Sequence, residues 1–254
     1  MDHSRLFSVK DRDRIRDHVL QLAESDKRIV AGAVVGSLAL SEGDRWSDLD
    51  LTFAVADNSS MLEVLEDWTR NLVEEFDAVQ LFDLPSEASI YRVFLLPGCL
   101  QFDLSFTPAS KFGATGPKFK LLFGNAVEKP FPSSPSAQEL FGYAVHHALR
   151  ARFCIERGRC WQAEYWISGA RDYALNLACH RYGLLTSNGR GFDNLPVEVR
   201  DVFKSALVTS LDRDELLRAV GCVIKGLLGE VDEVQELAGK VEPQLRMLTV
   251  AWDG

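Results

Sequence analysis

The run Gly36-Ser37-Leu38-Ala39-Leu40-Ser41-Glu42-Gly43-Asp44-Arg45-Trp46-Ser47-Asp48-Leu49-Asp50-Leu51-Thr52-Phe53 says more about this chain than any other segment. Just before it, Val30 to Val35 is apolar and valine-rich, as a buried strand requires, and the Gly-Ser pair ends that strand in a turn. From Asp48 to Phe53, acid alternates with apolar over a strand's length. Side chains two apart on a strand share a face, so Asp48 and Asp50 point one way while Leu49 and Leu51 enter the core. Two neighbouring carboxylates repel unless a cation lies between them. The pair therefore marks either a divalent-metal site or a strand end splayed into water.

A third carboxylate separates these readings. Ile90 to Leu96, then Pro97-Gly98, then Cys99 to Phe106 spell a strand, a turn and a second strand. Asp103 stands between Phe102 and Leu104 and shares a face with Gln101 and Ser105. A lone aspartate in an apolar strand is costly to bury unless it is paired or metal-bound. Asp83 is the rival, but Pro85 follows closely and sets it near a strand end or turn, so Asp103 is preferred. Plainer readings exist for each element: Gly36-Ser37 as a serine-capped turn, Asp48 and Asp50 as solvated edge acids, Asp103 as a partner of Arg92. All three would have to coincide at this spacing.

With Gly36-Ser37, Asp48-Leu49-Asp50 and a later Phe102-Asp103-Leu104 strand in that order, the chain resembles the DNA polymerase β-like nucleotidyltransferase superfamily. It is most similar in plan to small bacterial aminoglycoside and lincosamide nucleotidyltransferases, in which such a core precedes a helical domain. The motifs span residues 30 to 107. The resemblance implies an α+β fold, a mixed sheet with flanking helices followed by a helical bundle. It also implies Mg²⁺-dependent transfer of a nucleoside monophosphate, AMP from ATP, to a hydroxyl of a small molecule such as an aminoglycoside-like antibiotic, and hence antibiotic resistance.

In that scheme Asp48 and Asp50 would bridge two Mg²⁺ ions, and Asp103 would hold the ion that activates the acceptor hydroxyl. Gly36 would let the backbone approach the triphosphate, and Ser37 would offer its hydroxyl and N–H to the β- and γ-phosphates at the start of a helix. No Walker A loop occurs. The chain departs from the family pattern at Leu38-Ala39-Leu40, where an arginine often follows the Gly-Ser pair. Two contrasting readings keep the fold: a nucleotidyltransferase-type antitoxin that modifies a protein partner, and an inert nucleotide-binding or interaction module. Retention of all three acids weighs against the second.

The chain has 254 residues, 46% of them hydrophobic, enough for one large or two modest cores. Its net charge of −9 disfavours a nucleic-acid partner, because that binding depends on Lys and Arg against phosphate. It tilts the acceptor toward a cationic or polyhydroxylated small molecule instead. Met1-Asp2-His3-Ser4-Arg5 has no apolar signal core, and no run approaches the ~20 apolar residues of a membrane span, so a cytoplasmic protein without membrane contact is expected. Five cysteines without a Cys-x-x-Cys support neither a disulfide framework nor zinc, and reduced, mostly buried thiols are expected. A homodimer sharing the cleft is compatible with this reading, though nothing in the sequence demands one.

Two domains are expected: 1–130, catalytic, and 137–254, a helical bundle, joined by Lys129-Pro130-Phe131-Pro132-Ser133-Ser134-Pro135-Ser136. In the first, helices are read at residues 11 to 24 and Met61 to Phe76, with a strand from Ala78 to Leu84. In the second, they are read at Gln138 to Arg157, Trp161 to Tyr182, Val197 to Val208, Asp214 to Leu228, and Glu230 to Leu248 with a break or kink at Pro243. Glu164, between Trp161 and Trp166, is the candidate general base for the acceptor hydroxyl, with a solvated acid or a partner of Arg152 or Arg157 as the plainer reading. Arg171 and Asp172 are candidates to touch nucleotide or acceptor, with an intrahelical or interhelical ion pair as the preferred reading, and His146 and His147 diverge on a helix and read as structural. The loop Lys111 to Lys120 gathers three lysines, of which Lys118 is the candidate to neutralise the departing pyrophosphate. Arg190, in a turn-rich connection, is a lesser candidate for a substrate contact.

Overall fold

The computed structural model describes residues 5–40, 42–86, 88–131 and 133–250. The chain divides between residues 132 and 133 into two compact units. Of the segments singled out above, Met1 to Ser4, Ser41 and Pro132 lie outside the described residues.

The first unit is α+β. Helix α1 (Val9–Ser25) leads into β1 (Ile29–Val35) and β2 (Leu49–Val55). Helix α2 (Met61–Phe76) precedes β3 (Val79–Ser86), β4 (Ser89–Leu96), β5 (Leu100–Pro108) and β6 (Phe119–Phe123). The strands form one sheet in the order β3-β4-β5-β2-β1-β6. Every neighbouring pair is antiparallel except β2 and β5, which run parallel.

Local chemistry sets the helix ends. Ser8 caps α1 reciprocally: its Oγ accepts from Asp11 N at 3.3 Å, and the Asp11 carboxylate accepts from Ser8 N at 2.8 Å. Ser60 caps α2, which ends where Asp77 turns left-handed at φ 53°. Leu65, Trp68, Leu72 and Phe76 bury one stripe of α2 against the sheet, and Trp68 meets Phe53 and Phe106 edge-on at 5.0 and 5.1 Å.

Alternation along β2 and β5 divides the sheet's faces. Leu49, Leu51, Phe53, Phe102, Leu104 and Phe106 enter a core shared with α1 and α2. Asp50 and Thr52, and Gln101, Asp103 and Ser105, take the opposite face. Part of that face is covered by a small cluster of Ala31, Ala33, Ala54 and Phe112.

Two strands differ from expectation. The end of the lysine loop is a strand, β6, whose Phe119 lies opposite Val35 and whose Phe123 lies opposite Gly32. It shows no apolar alternation because Leu121 and Leu122, both partly exposed, sit on an edge, where one side need not face a core. Strand β3 continues through Pro85 to Ser86, so Asp83 is inside a strand and not at its end. As an edge strand, β3 tolerates the missing proline N–H.

The second unit is helical: α3 (Ala137–Glu156), α4 (Cys160–Arg181), α5 (Val197–Lys204), α6 (Arg213–Gly229) and α7 (Gln235–Met247), packed around one core. Helix α5 stops four residues before the expected Val208. Arg218 of α6 explains the stop, because its guanidinium donates to the carbonyls of Ser205 and Leu207 and satisfies backbone that a longer helix would have used. Helix α7 starts later than expected and runs through Pro243, which is exposed and breaks no described element. The fully buried Arg152 of α3 donates to Leu248 O and Val250 O and ties down the chain beyond α7.

All five cysteines are free. Cys154 and Cys179 are buried and Cys160 and Cys222 half-buried, but Cys99 is exposed, in the left-handed turn between β4 and β5. Among the described residues no helix is long and apolar enough to cross a membrane.

Candidate active site

The parallel pairing of β2 with β5 sets Asp50 directly opposite Asp103. Asp48 is the last residue before β2 and is partly buried. The Asp103 carboxylate accepts from Gln101 Nε2 at 2.9 Å. Burial pushes the Asp103 carboxyl above the ordinary aspartate value, and the negative charge of Asp48 pushes the same way, against the Gln101 hydrogen bond. Asp50 and Asp103 are thus in register on neighbouring strands, and Asp48, just before β2, acts on Asp103 through its charge. Among the described residues, however, no three His, Cys, Asp or Glu side chains are gathered closely enough to hold a metal ion. All three offer oxygen donors, the kind a hard divalent cation takes.

Gly36 ends β1 in a left-handed conformation, φ +72°, and a Cβ there would run into Asp50 Oδ2. Glycine is favoured on both counts, since any other residue here would carry backbone strain and displace the Asp50 carboxylate. Gly36 opens a short 3-10 helix, Gly36–Leu40, so Ser37 does stand at the start of a helix, though a 3-10 and not an α one. Ser37 O accepts from Glu42 N at 3.1 Å, while Gly36 N donates to Lys118 O at 3.1 Å. The structure thus brings Lys118 beside the glycine turn, and its ammonium is paired with Glu42 Oε2 at 2.9 Å.

The rival acid Asp83 is accounted for. It receives Arg92 Nε at 2.7 Å and Nη2 at 2.8 Å, and this pairing holds its carboxyl below the ordinary range. Arg92 therefore neutralises Asp83 and not Asp103, which removes the plain structural reading of Asp103.

Arg12 was not singled out by the sequence. It is 4% exposed on α1, and its Nη1 donates to Asp44 O and Ser47 O, both at 2.8 Å. The Asp44 carboxylate in turn accepts from Trp46 N at 2.8 Å and Ser47 Oγ at 3.1 Å. Trp46 is 64% exposed, with the Arg45 guanidinium 4.2 Å from its ring centre. The available signal was position: Arg12 falls on the stripe of Ile15 and Val19, where an apolar residue belongs.

In the second unit, Glu164 accepts from Ser168 Oγ at 2.7 Å, and Arg152 pairs with Glu156 instead. Glu164 lines a cleft of about 370 Å³ together with His147, Tyr165, Asp172 and Tyr173. His147 Nδ1 lies 2.7 Å from Tyr143 O, its ring meets Trp166 at 4.9 Å, and burial holds its pKa below the usual value. Arg171 pairs with its neighbour Asp172 at 3.0 Å. Arg190 sits in a turn closed by its own N–H to Ser187 O at 3.1 Å.

The sequence matches no protein-family model and no curated protein. Among solved structures the chain is similar to an aminoglycoside 6-adenyltransferase from Bacillus subtilis, at 12% identity and TM-score 0.40 over 93% of this chain and 97% of that one. It is also similar to a nucleotidyltransferase-like protein from Exiguobacterium sibiricum 255-15, at 10% identity and TM-score 0.38 over 92% and 80%.

Proposed function

We propose that this protein is a nucleotidyltransferase that moves a nucleoside monophosphate, AMP from ATP, to a hydroxyl of a small molecule. The observation that carries the reading is Asp50 in register with Asp103 across a parallel strand pair, with the left-handed Gly36 set against the Asp50 carboxylate. The acceptor oxygen attacks the α-phosphorus, the bond to the bridging oxygen breaks, and pyrophosphate leaves. Asp48, Asp50 and Asp103 would hold Mg²⁺, which supplies charge neutralisation at the attacking and leaving oxygens. The Gly36-Ser37 turn admits the triphosphate close to the backbone, and Lys118 exchanges Glu42 for the departing phosphates. A carboxylate base takes the acceptor's proton, and Glu164 is the candidate the sequence offers for that role. The net charge of −9 suits a cationic, polyhydroxylated acceptor of the aminoglycoside type, since carboxylates pair with ammonium groups.

The test is pyrophosphate release from each of the four NTPs with Mg²⁺ and a panel of aminoglycosides. Turnover with one pair, lost in Asp48→Ala and Asp103→Ala, is the expected result. Absence of any nucleotide binding by the wild-type chain would sink the reading.

A further inference from the structure

We propose that Arg12 is a positioning residue: the guanidinium it buries against the 44–47 turn determines where Asp48 stands. The inference rests on the nucleotidyltransferase reading for what Asp48 does, but not for what Arg12 does.

Asp50 and Asp103 are fixed by the sheet ladder. Asp48 precedes β2 and has no register partner to hold it. The segment leading to it is a closed turn, in which Asp44 N donates to Ser47 Oγ at 2.9 Å while the Asp44 carboxylate accepts from Trp46 N. Closure alone gives the turn a shape without a location. Arg12 supplies the location, because a single nitrogen, Nη1, donates to the carbonyls at both ends of the turn. The second of these, Ser47 O, belongs to the peptide group bonded to Asp48.

Stability does not explain an arginine here. Ile15 and Val19 on the same stripe are fully buried, and a leucine would suit the core better. Among the described residues no carboxylate pairs with Arg12, and its Nε is buried without a partner, although the chain holds 37 acids. A buried cation compensated only by carbonyls is costly, and that cost is explained by the turn it holds.

The experiment compares the full chain with Arg12→Gln, Arg12→Lys, Asp44→Ala and, as a core control on the same helix, Val19→Ala. Mn²⁺ binding is read by electron paramagnetic resonance, and the turn by the ¹⁹F resonance of 5-fluorotryptophan at Trp46. Arg12→Gln is expected to weaken Mn²⁺ about tenfold to a hundredfold, as the loss of groups that orient metal ligands does, and to move the Trp46 resonance. Arg12→Lys should fall between it and the wild type. Val19→Ala should melt earlier yet keep both signals.

Wild-type Mn²⁺ affinity in Arg12→Gln, or an equal loss in Val19→Ala, overturns the proposal. Should Arg12→Gln not fold, Arg12→Lys and Asp44→Ala carry the test, and unchanged Mn²⁺ affinity in both overturns it. If the wild type binds no Mn²⁺, the failure belongs to the metal reading. The fluorine signal then decides alone: moved in Arg12→Gln it supports the strut, and unmoved it overturns it.

Discussion

Asp103 is held in a state that opposes its own charge. Burial first, then the neighbouring charge of Asp48, raises its pKa above 3.8. An acid raised on folding penalises the native state once it ionises. The penalty is absent below the ordinary aspartate range, grows as pH rises from there through the raised value, and persists above it. Asp103→Asn is therefore expected to unfold at a higher temperature than the wild type at neutral pH, with the difference gone near about pH 3. Thermal melts across that range check this, and a less stable Asn variant at neutral pH refutes it. Asp48, Asp50 and Asp103 were legible as a trio because acids stand out against apolar strand neighbours. Arg12 was not, because its meaning lies in two backbone carbonyls more than thirty residues away, and backbone carbonyls leave no mark in a sequence.

Arg92 of β4 joins three elements, donating to Asp83 on β3 and to Glu66 and Thr69 on α2. Its side chain is 5% exposed and that of Asp83 35%, so the pair is only partly shielded from water. Arg92→Gln is expected to destabilise the first unit by about 2–3 kcal/mol, the low end of what breaking a buried pair costs, because solvent screens one partner. Urea denaturation gives the number, and a change under about 0.5 kcal/mol would show the tie to be idle. Elements with a strong internal signal were read almost to the residue: α2 spans Met61–Phe76 as its serine cap and apolar stripe require. Those fixed by a neighbour were not. Strand β6 exists because β1 offers it a free edge, and α5 ends just before the carbonyls of Ser205 and Leu207 that Arg218 takes.

Each unit carries its own core, and residues 124–136 between β6 and α3 hold no described strand or helix. Brief proteolysis is expected to cut first between residues 128 and 136, leaving two fragments that resist further digestion. A first cut inside either core would contradict this. Prolines and serines mark 129–136 as the expected linker, and the helical character of the second unit was legible from its apolar spacing alone. How β2 comes to lie beside β5 was not legible, since their pairing joins strands separated by α2, β3 and β4. That separation bears on how the protein assembles. β2 ends at Val55 and β5 begins at Leu100, so Asp50 and Asp103 can become neighbours only after the whole intervening chain has closed on itself. A nascent or partly misassembled chain therefore holds Asp103 apart from Asp50. On the proposed reading, metal capture by these acids would report the completed sheet.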